Sequence, residues 1–187
     1  LSLYLPAIPA LGSELNILPY WMSLTLTVYF AGYAFFNLFS GPLSDSLGRR
    51  FMILRGLEVY GVGTLLCAIA TDINMLLVGR TLQAFGAGVA PVVGKAMIQD
   101  RTSADRTVIL MGWLGAAMSV TPALAPFAGG IIVEHFRWQW TFWSLLIFNV
   151  LVWLFNFYLL PETLPSTVSR HIKITAVFKT YREFLRN

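Results

Sequence analysis

From Leu15 to Ser44 the chain runs thirty positions without a charged side chain, and a second apolar stretch begins at Phe51 after a short polar break. A helix needs about 20 apolar residues to cross ~30 Å of hydrocarbon. Further stretches follow, so that apolar segments cover roughly 20–42, 51–71, 73–97, 107–133 and 138–160. All are of helix length and none alternates in the manner of a barrel strand, so they predict five full membrane helices. With 57% hydrophobic and 12% charged residues, the chain reads as an all-helical, multi-pass membrane protein. Residues 1–10 read as the end of one more helix, closed by Pro6 and Pro9. Since the chain starts without Met, it is expected to be a fragment whose first helix is truncated.

Lys and Arg in short connections set orientation, because they resist translocation. Arg49, Arg50 and Arg55 cluster after the first long segment, Arg101 and Arg106 before the segment over 107–133, and Arg170, Lys173, Lys179, Arg182 and Arg186 after the last. These faces are expected to be cytoplasmic. The opposite connections hold Glu14, Asp72, Glu134, His135 and the single cation Arg137. The net charge of +4 therefore reflects topology, and with no soluble basic domain it gives no support to nucleic-acid binding. The lone Cys67 allows no intrachain disulfide. His135 and His171 have no partner at ligand spacing, so no metal is expected, and no enzyme motif or cofactor site is present.

The break itself reads Gly41-Pro42-Leu43-Ser44-Asp45-Ser46-Leu47-Gly48-Arg49-Arg50, an acid, a tight turn and two cations at a membrane face. Within the segment over 73–97, Gly79-Arg80-Thr81-Leu82-Gln83-Ala84-Phe85-Gly86-Ala87-Gly88 puts an arginine ~10 Å into the bilayer. An arginine near a helix centre costs about 2.5–3.5 kcal/mol on insertion scales, so it should face protein or a watery cavity. Gln83, three residues on, shares its face, and Gly79, Gly86 and Gly88 permit close helix approach. The alternative is a side chain snorkelling to the headgroups. Thr121-Pro122-Ala123-Leu124-Ala125-Pro126-Phe127-Ala128-Gly129-Gly130 puts two prolines on one face, continued by Gly129 and Gly130, and predicts a kinked, closely packed surface. Ordinary packing is the competing explanation. Tyr29, Tyr33 and Asn37 recur every four residues, and Met111, Gly115 and Met118 form a softer stripe. Both are candidates for a substrate wall, with lipid-facing or packing stripes as the alternative.

The spacing G-x-x-x-D-x-x-G-R-R over 41–50 resembles the loop between helices two and three of the major facilitator superfamily. The proline pair resembles that superfamily's antiporter motif, with Ala125 where the general form has Gly. Tyr4-Leu5-Pro6-Ala7-Ile8-Pro9, Trp138-Gln139-Trp140-Thr141-Phe142-Trp143 and Pro161-Glu162-Thr163-Leu164 look like stretches of Bcr/CflA-type drug resistance transporters. The likeness implies the N-terminal six-helix half of a drug:proton antiporter in a bacterial inner membrane, with a second six-helix half missing and a small-molecule cavity between the halves. It implies proton coupling at Arg80 and Gln83, a gating charge cluster of Asp45, Arg49 and Asp100, a loop turn built on Gly41, Gly48 and Arg50, and an antiporter hinge at Pro122, Pro126, Gly129 and Gly130. Tyr4 joins the cavity candidates. In this family an acid often stands two positions before the Tyr of Tyr-Leu-Pro-Ala, and here that residue is Ser2. A facilitator of the same fold for a metabolite, and a membrane scaffold without transport, are the rival readings.

Two regions are expected: a transmembrane bundle over 1–162 and a basic amphipathic linker over 163–187. The linker would lie on the inner membrane surface, with Ile174, Val177, Phe178, Tyr181, Phe184 and Leu185 on one face.

Overall fold

Apolar segments of this length can hide their backbone polar groups from lipid only by bonding them within a helix or a closed barrel. The computed structural model describes residues 2–14 and 17–163, and among these every regular element is a helix. A 3-10 helix, η1, spans Ser2–Ala7, and α1 follows over Ile8–Glu14. The long helices are α2 (Pro19–Leu47), α3 (Arg49–Ala68), α6 (Ala104–His135) and α7 (Gln139–Leu159). Between α3 and α6, α4 (Ile73–Ala87) and α5 (Val89–Arg101) meet at Gly88 and together make one span. Among the described residues five helices are long and apolar enough to cross a membrane. The basic tail lies outside the described residues.

Three boundaries differ from the sequence reading. Pro6 and Pro9 do not close the first run, which continues to Glu14. Pro9 falls in the first turn of α1, where no intrahelical bond to its nitrogen is needed. The polar break is also shorter than its composition suggests. Gly41 and Pro42 lie inside α2, so Gly41 makes no turn, and the reversal falls at Gly48 alone, with φ +104°. A tight turn there requires the left-handed region that a Cβ disfavours. Ser44 and Ser46 donate their hydroxyls back to the carbonyls of Gly41 and Leu43 at 2.7 and 2.9 Å, which meets their hydrogen-bonding needs inside the helix. The third difference is the segment predicted over 73–97, which extends to Arg101 and breaks at Gly88.

α4 is the centre of the bundle, packed between α2 and α3, while α7 covers the other side of α3 and η1 lies on α6. Asp72 starts α4 by accepting from the backbone N–H of Met75 at 2.9 Å, a side-chain N-cap. Glycines set the close approach of α3 and α4. A Cβ on Gly63 would stand 2.5 Å from the backbone nitrogen of Gln83, and one on Gly79 would stand 2.9 Å from the carbonyl oxygen of Gly63. Two apolar clusters close the bundle. Tyr4, Leu11, Cys67, Leu76, Trp138 and Phe142 fill the end near α1, and Met52, Val89 and Val93 fill the end near the α2–α3 turn.

α6 runs unbroken through Pro122 and Pro126. The packed face predicted for it is present only at Gly129, its one buried residue, where a Cβ would collide with the backbone carbonyl of Leu3. Pro122 is exposed, and Gly130 has nothing near its Cβ position. Among the described residues, little covers the rest of α6.

The basic-residue asymmetry and these boundaries place Ser46 and Asn74 at opposite ends of the bundle. In the intact protein with Cys67 replaced, a cysteine at position 74 should react with a membrane-impermeant maleimide added outside at least about tenfold faster than one at position 46. Faster reaction at position 46 would reverse the orientation.

Candidate functional site

The polar centre of the bundle is built around Arg80, which is 1% exposed. α4 carries Arg80 and Gln83 on one face. Arg80 Nη1 donates to Gln83 Oε1 at 2.9 Å, and Gln83 Nε2 donates to Thr64 Oγ1 of α3 at 2.8 Å. The Thr64 hydroxyl passes on to the Tyr60 carbonyl at 2.7 Å. On its flanks the guanidinium carbon lies 4.5 Å from the ring centroid of Tyr4 and 4.5 Å from that of Tyr29. Tyr4 is anchored in turn by its hydroxyl, 3.1 Å from Thr25 Oγ1 of α2. Four elements therefore converge on one cation.

Arg80 does not snorkel to the membrane surface, because two aromatic faces and an amide hold it inside the protein. Its other edge has no protein partner: Nε and Nη2 are buried and make no hydrogen bond. These two N–H groups form the side-on fork that accepts a carboxylate bidentately. Among the described residues, no ion pair involves Arg80. The Nε–Nη2 edge of Arg80 is thus a buried donor pair left without a hydrogen-bond partner.

The remaining cavity candidates divide. Tyr33 stacks on Tyr29 with ring centroids 6.4 Å apart, and Asn37 is half-buried, donating to the Tyr33 carbonyl at 3.0 Å. Tyr4 and Tyr29 are packed against Arg80 and do not line an open wall. Met111 is half-buried and Met118 is 46% exposed on α6.

A second cluster lies at the α2–α3 turn. Arg49 Nη1 is 2.6 Å from Asp45 Oδ1 and 2.5 Å from Ser44 Oγ, and Arg49 Nε donates to Asp100 Oδ2 of α5 at 3.1 Å. One cation thus ties the end of α2 to the end of α5. Arg49 is 8% exposed, so these bonds are less screened than ordinary surface pairs. Arg50 reaches α7 instead, donating to the Phe157 carbonyl at 2.5 Å.

Glu162 carries a role that its sequence motif does not announce. Its Oε1 accepts from the Arg49 backbone N–H at 3.0 Å and its Oε2 from that of Arg50 at 3.3 Å, so it caps the first turn of α3, while its carbonyl accepts from Arg101. An acid at a helix N-terminus meets both orphan N–H groups and the positive end of the helix dipole. Pairing over more than a hundred residues has no local sequence signal. Glu58, by contrast, has one: it is an acid in the middle of an apolar helix.

The family model described as Major Facilitator Superfamily matches residues 1–187. The Multidrug resistance protein MdtL of Citrobacter koseri is 31% identical over 169 residues, covering 90% of this chain and 43% of that protein. MdtL of Shigella dysenteriae is 30% identical over 166 residues, covering 89% of this chain and 42% of that protein. The chain thus spans less than half the length of these curated relatives. Among solved structures, the human organic anion transporter MFSD10 (TETRAN) aligns with a TM-score of 0.67 at 23% identity, covering 91% of this chain and 41% of its own. A peptide transporter POT in complex with sulfate aligns with a TM-score of 0.72 at 14% identity, covering 98% and 40%. At those identities the structures speak to the fold. The chain is a multi-pass membrane protein with the fold of half a transporter bundle, and it belongs to the major facilitator superfamily.

Proposed function

We propose that this chain is the N-terminal half, over 1–162, of a proton-coupled exporter of small amphipathic toxic compounds in a bacterial inner membrane, of the Bcr/CflA drug-resistance type. Residues 163–187 would be the linker to a second six-helix half. The observation that carries the reading is the buried Nε–Nη2 edge of Arg80, which has neither a hydrogen bond nor a carboxylate partner among the described residues. A scaffold has no use for a desolvated, unpaired cation, which costs several kcal/mol. A transporter does. A carboxylate that docks on the Nε–Nη2 edge when ionised and leaves when protonated links proton occupancy to the position of Tyr4 and Tyr29, and so to the helices they belong to. Ser2 does not titrate and cannot be that acid. The acid would lie in the part of the transporter outside this chain. Gln83 holds the guanidinium in register, and Tyr33, Asn37, Met111 and Met118 would contribute to the substrate path on α2 and α6.

The Asp45–Arg49–Asp100 cluster serves as the inner latch, with Gly48 and Arg50 shaping its turn, and Pro122, Pro126, Gly129 and Gly130 mark the hinge on α6, which meets η1 at Gly129. In membrane vesicles, uptake of an exported dye by the intact protein should require an imposed proton gradient. Asp45→Asn should cut that uptake roughly tenfold at equal abundance, since it removes a strong charge contact from one access state only. The alternative, a metabolite facilitator, predicts equilibration without a gradient, and that result would replace the exporter reading.

A further inference from the structure

Glu58 is the one carboxylate among the described residues that sits deep inside a membrane-spanning helix. It lies nine residues beyond Arg49, ~13 Å along α3 at 1.5 Å per residue and close to the middle of ~30 Å of hydrocarbon. It is turned away from the Arg80 centre. Thr64 and Gly63 of α3 face α4, whereas Glu58 and Gly61 face α7, where the Asn149 amide donates to the Leu57 carbonyl at 3.1 Å. A Cβ on Gly61 would stand 2.8 Å from Asn149 Nδ2, so the glycine makes room for that amide. The α3–α7 seam opens here into a crevice of about 330 Å³, lined by Glu58, Gly61, Leu65, Asn149, Val150 and Trp153 among others. Its rim is apolar and open, with Val62 55% and Val150 47% exposed.

The carboxylate is divided between two partners. Glu58 Oε1 accepts from the Trp153 indole N–H at 3.3 Å, and Oε2 pairs with Arg55 Nη1 at 2.7 Å. Arg55 is not part of the crevice wall. It sits a turn nearer the inner face with its guanidinium 5.3 Å from the Phe51 ring centroid, and its side chain is 60% exposed against 38% for Glu58. Among the described residues, the one charge lining the crevice is therefore negative, beside an indole and an amide. An ionised acid on a hydrocarbon-facing surface is expensive without a cation, and an arginine's long stem lets its charge swing toward the headgroups when another cation takes its place.

We propose that the α3–α7 crevice is a peripheral binding site for amphipathic organic cations drawn from the inner half of the bilayer, in which the ligand's charge replaces Arg55 on Glu58. The volume suits a small molecule, and its apolar body would fill the seam between Leu65 and Val150. The site is separate from the Arg80 centre and needs no transport cycle.

The probe is a benzophenone-bearing triphenylphosphonium, photoactivated on the intact protein in phosphatidylcholine vesicles, with cross-links mapped by mass spectrometry. Labelling is expected on residues 57–65 and 146–153. Glu58→Gln should reduce it at least about tenfold, since the one opposing charge is lost, whereas Glu58→Asp should retain most of it. Arg55→Gln should increase labelling severalfold by removing the competing cation. Thermal unfolding of each variant separates loss of the site from loss of the fold. Arg80→Met should leave the labelling unchanged, so a failure of the coupling proposal and a failure of this one are told apart. Equal labelling by the neutral benzophenone analogue, no effect of Glu58→Gln, or a parallel fall in Arg55→Gln would overturn the proposal, the last by showing that the pair only braces α3.

Discussion

Gly63→Leu should abolish a stable, monodisperse protein. The position faces backbone, not flexible side chains: a Cβ there stands 2.5 Å from the Gln83 nitrogen and 2.6 Å from the Gly79 carbonyl oxygen. Neither can move without separating α3 from α4, and that separation stretches the Gln83–Thr64 hydrogen bond that positions Arg80. Overpacking a tight core commonly costs about 1–3 kcal/mol, and an isobutyl group against two backbones belongs at or above the top of that range. Gly94 is the contrast, with nothing near its Cβ position. Gly94→Ala should be neutral or stabilise by up to about 1 kcal/mol through helix propensity. Melting in detergent measures both. A Gly63→Leu protein with an unchanged melting temperature would mean that the two helices are not held at this distance.

The helical spans were legible because hydrocarbon permits so few alternatives. Apolar length and basic asymmetry suffice to place five crossings, and the Arg80–Gln83 face follows from three-residue spacing. What surrounds that face was not legible. Tyr4, Tyr29 and Thr64 come from three other elements, and only packing brings them to the guanidinium. Turn signals misled at Gly41 and Pro42, which mark turns in water. Within a long apolar segment the helix continues through them, because leaving the helix would expose more backbone than one proline does. The same physics carries α6 through Pro122 and Pro126. Glu162 lay beyond reach, since a capping contact between the end of α7 and the start of α3 leaves no local pattern.

Arg80→Met should eliminate gradient-driven accumulation while leaving the protein folded. The magnitudes oppose one another. Two desolvated cation–π contacts are worth about 2 kcal/mol or more each, and the hydrogen bond to Gln83 about 1.5–3 kcal/mol. Against these stands the cost of burying an unpaired guanidinium, also several kcal/mol, which the neutral side chain removes. Methionine has a similar reach and fills the space between the tyrosine rings, with favourable sulfur–aromatic contacts. Net stability should therefore change by no more than about 2 kcal/mol. Coupling has no such offset. Without the cation, the ionised carboxylate loses its partner, and no guanidinium ties its proton affinity to occupancy of the fork. Substrate binding through apolar contacts should persist, and downhill efflux with it.

The claim that Arg80 couples proton occupancy to substrate is tested most directly by proton release. Purified intact protein in weakly buffered detergent is mixed with an amphipathic drug that it exports, and the pH change is followed. The wild-type protein should release protons on drug binding, up to about one per drug bound near neutral pH. Arg80→Met should bind the drug and release none. Undiminished release from Arg80→Met would contradict the account and leave Arg80 as a structural cation between Tyr4 and Tyr29.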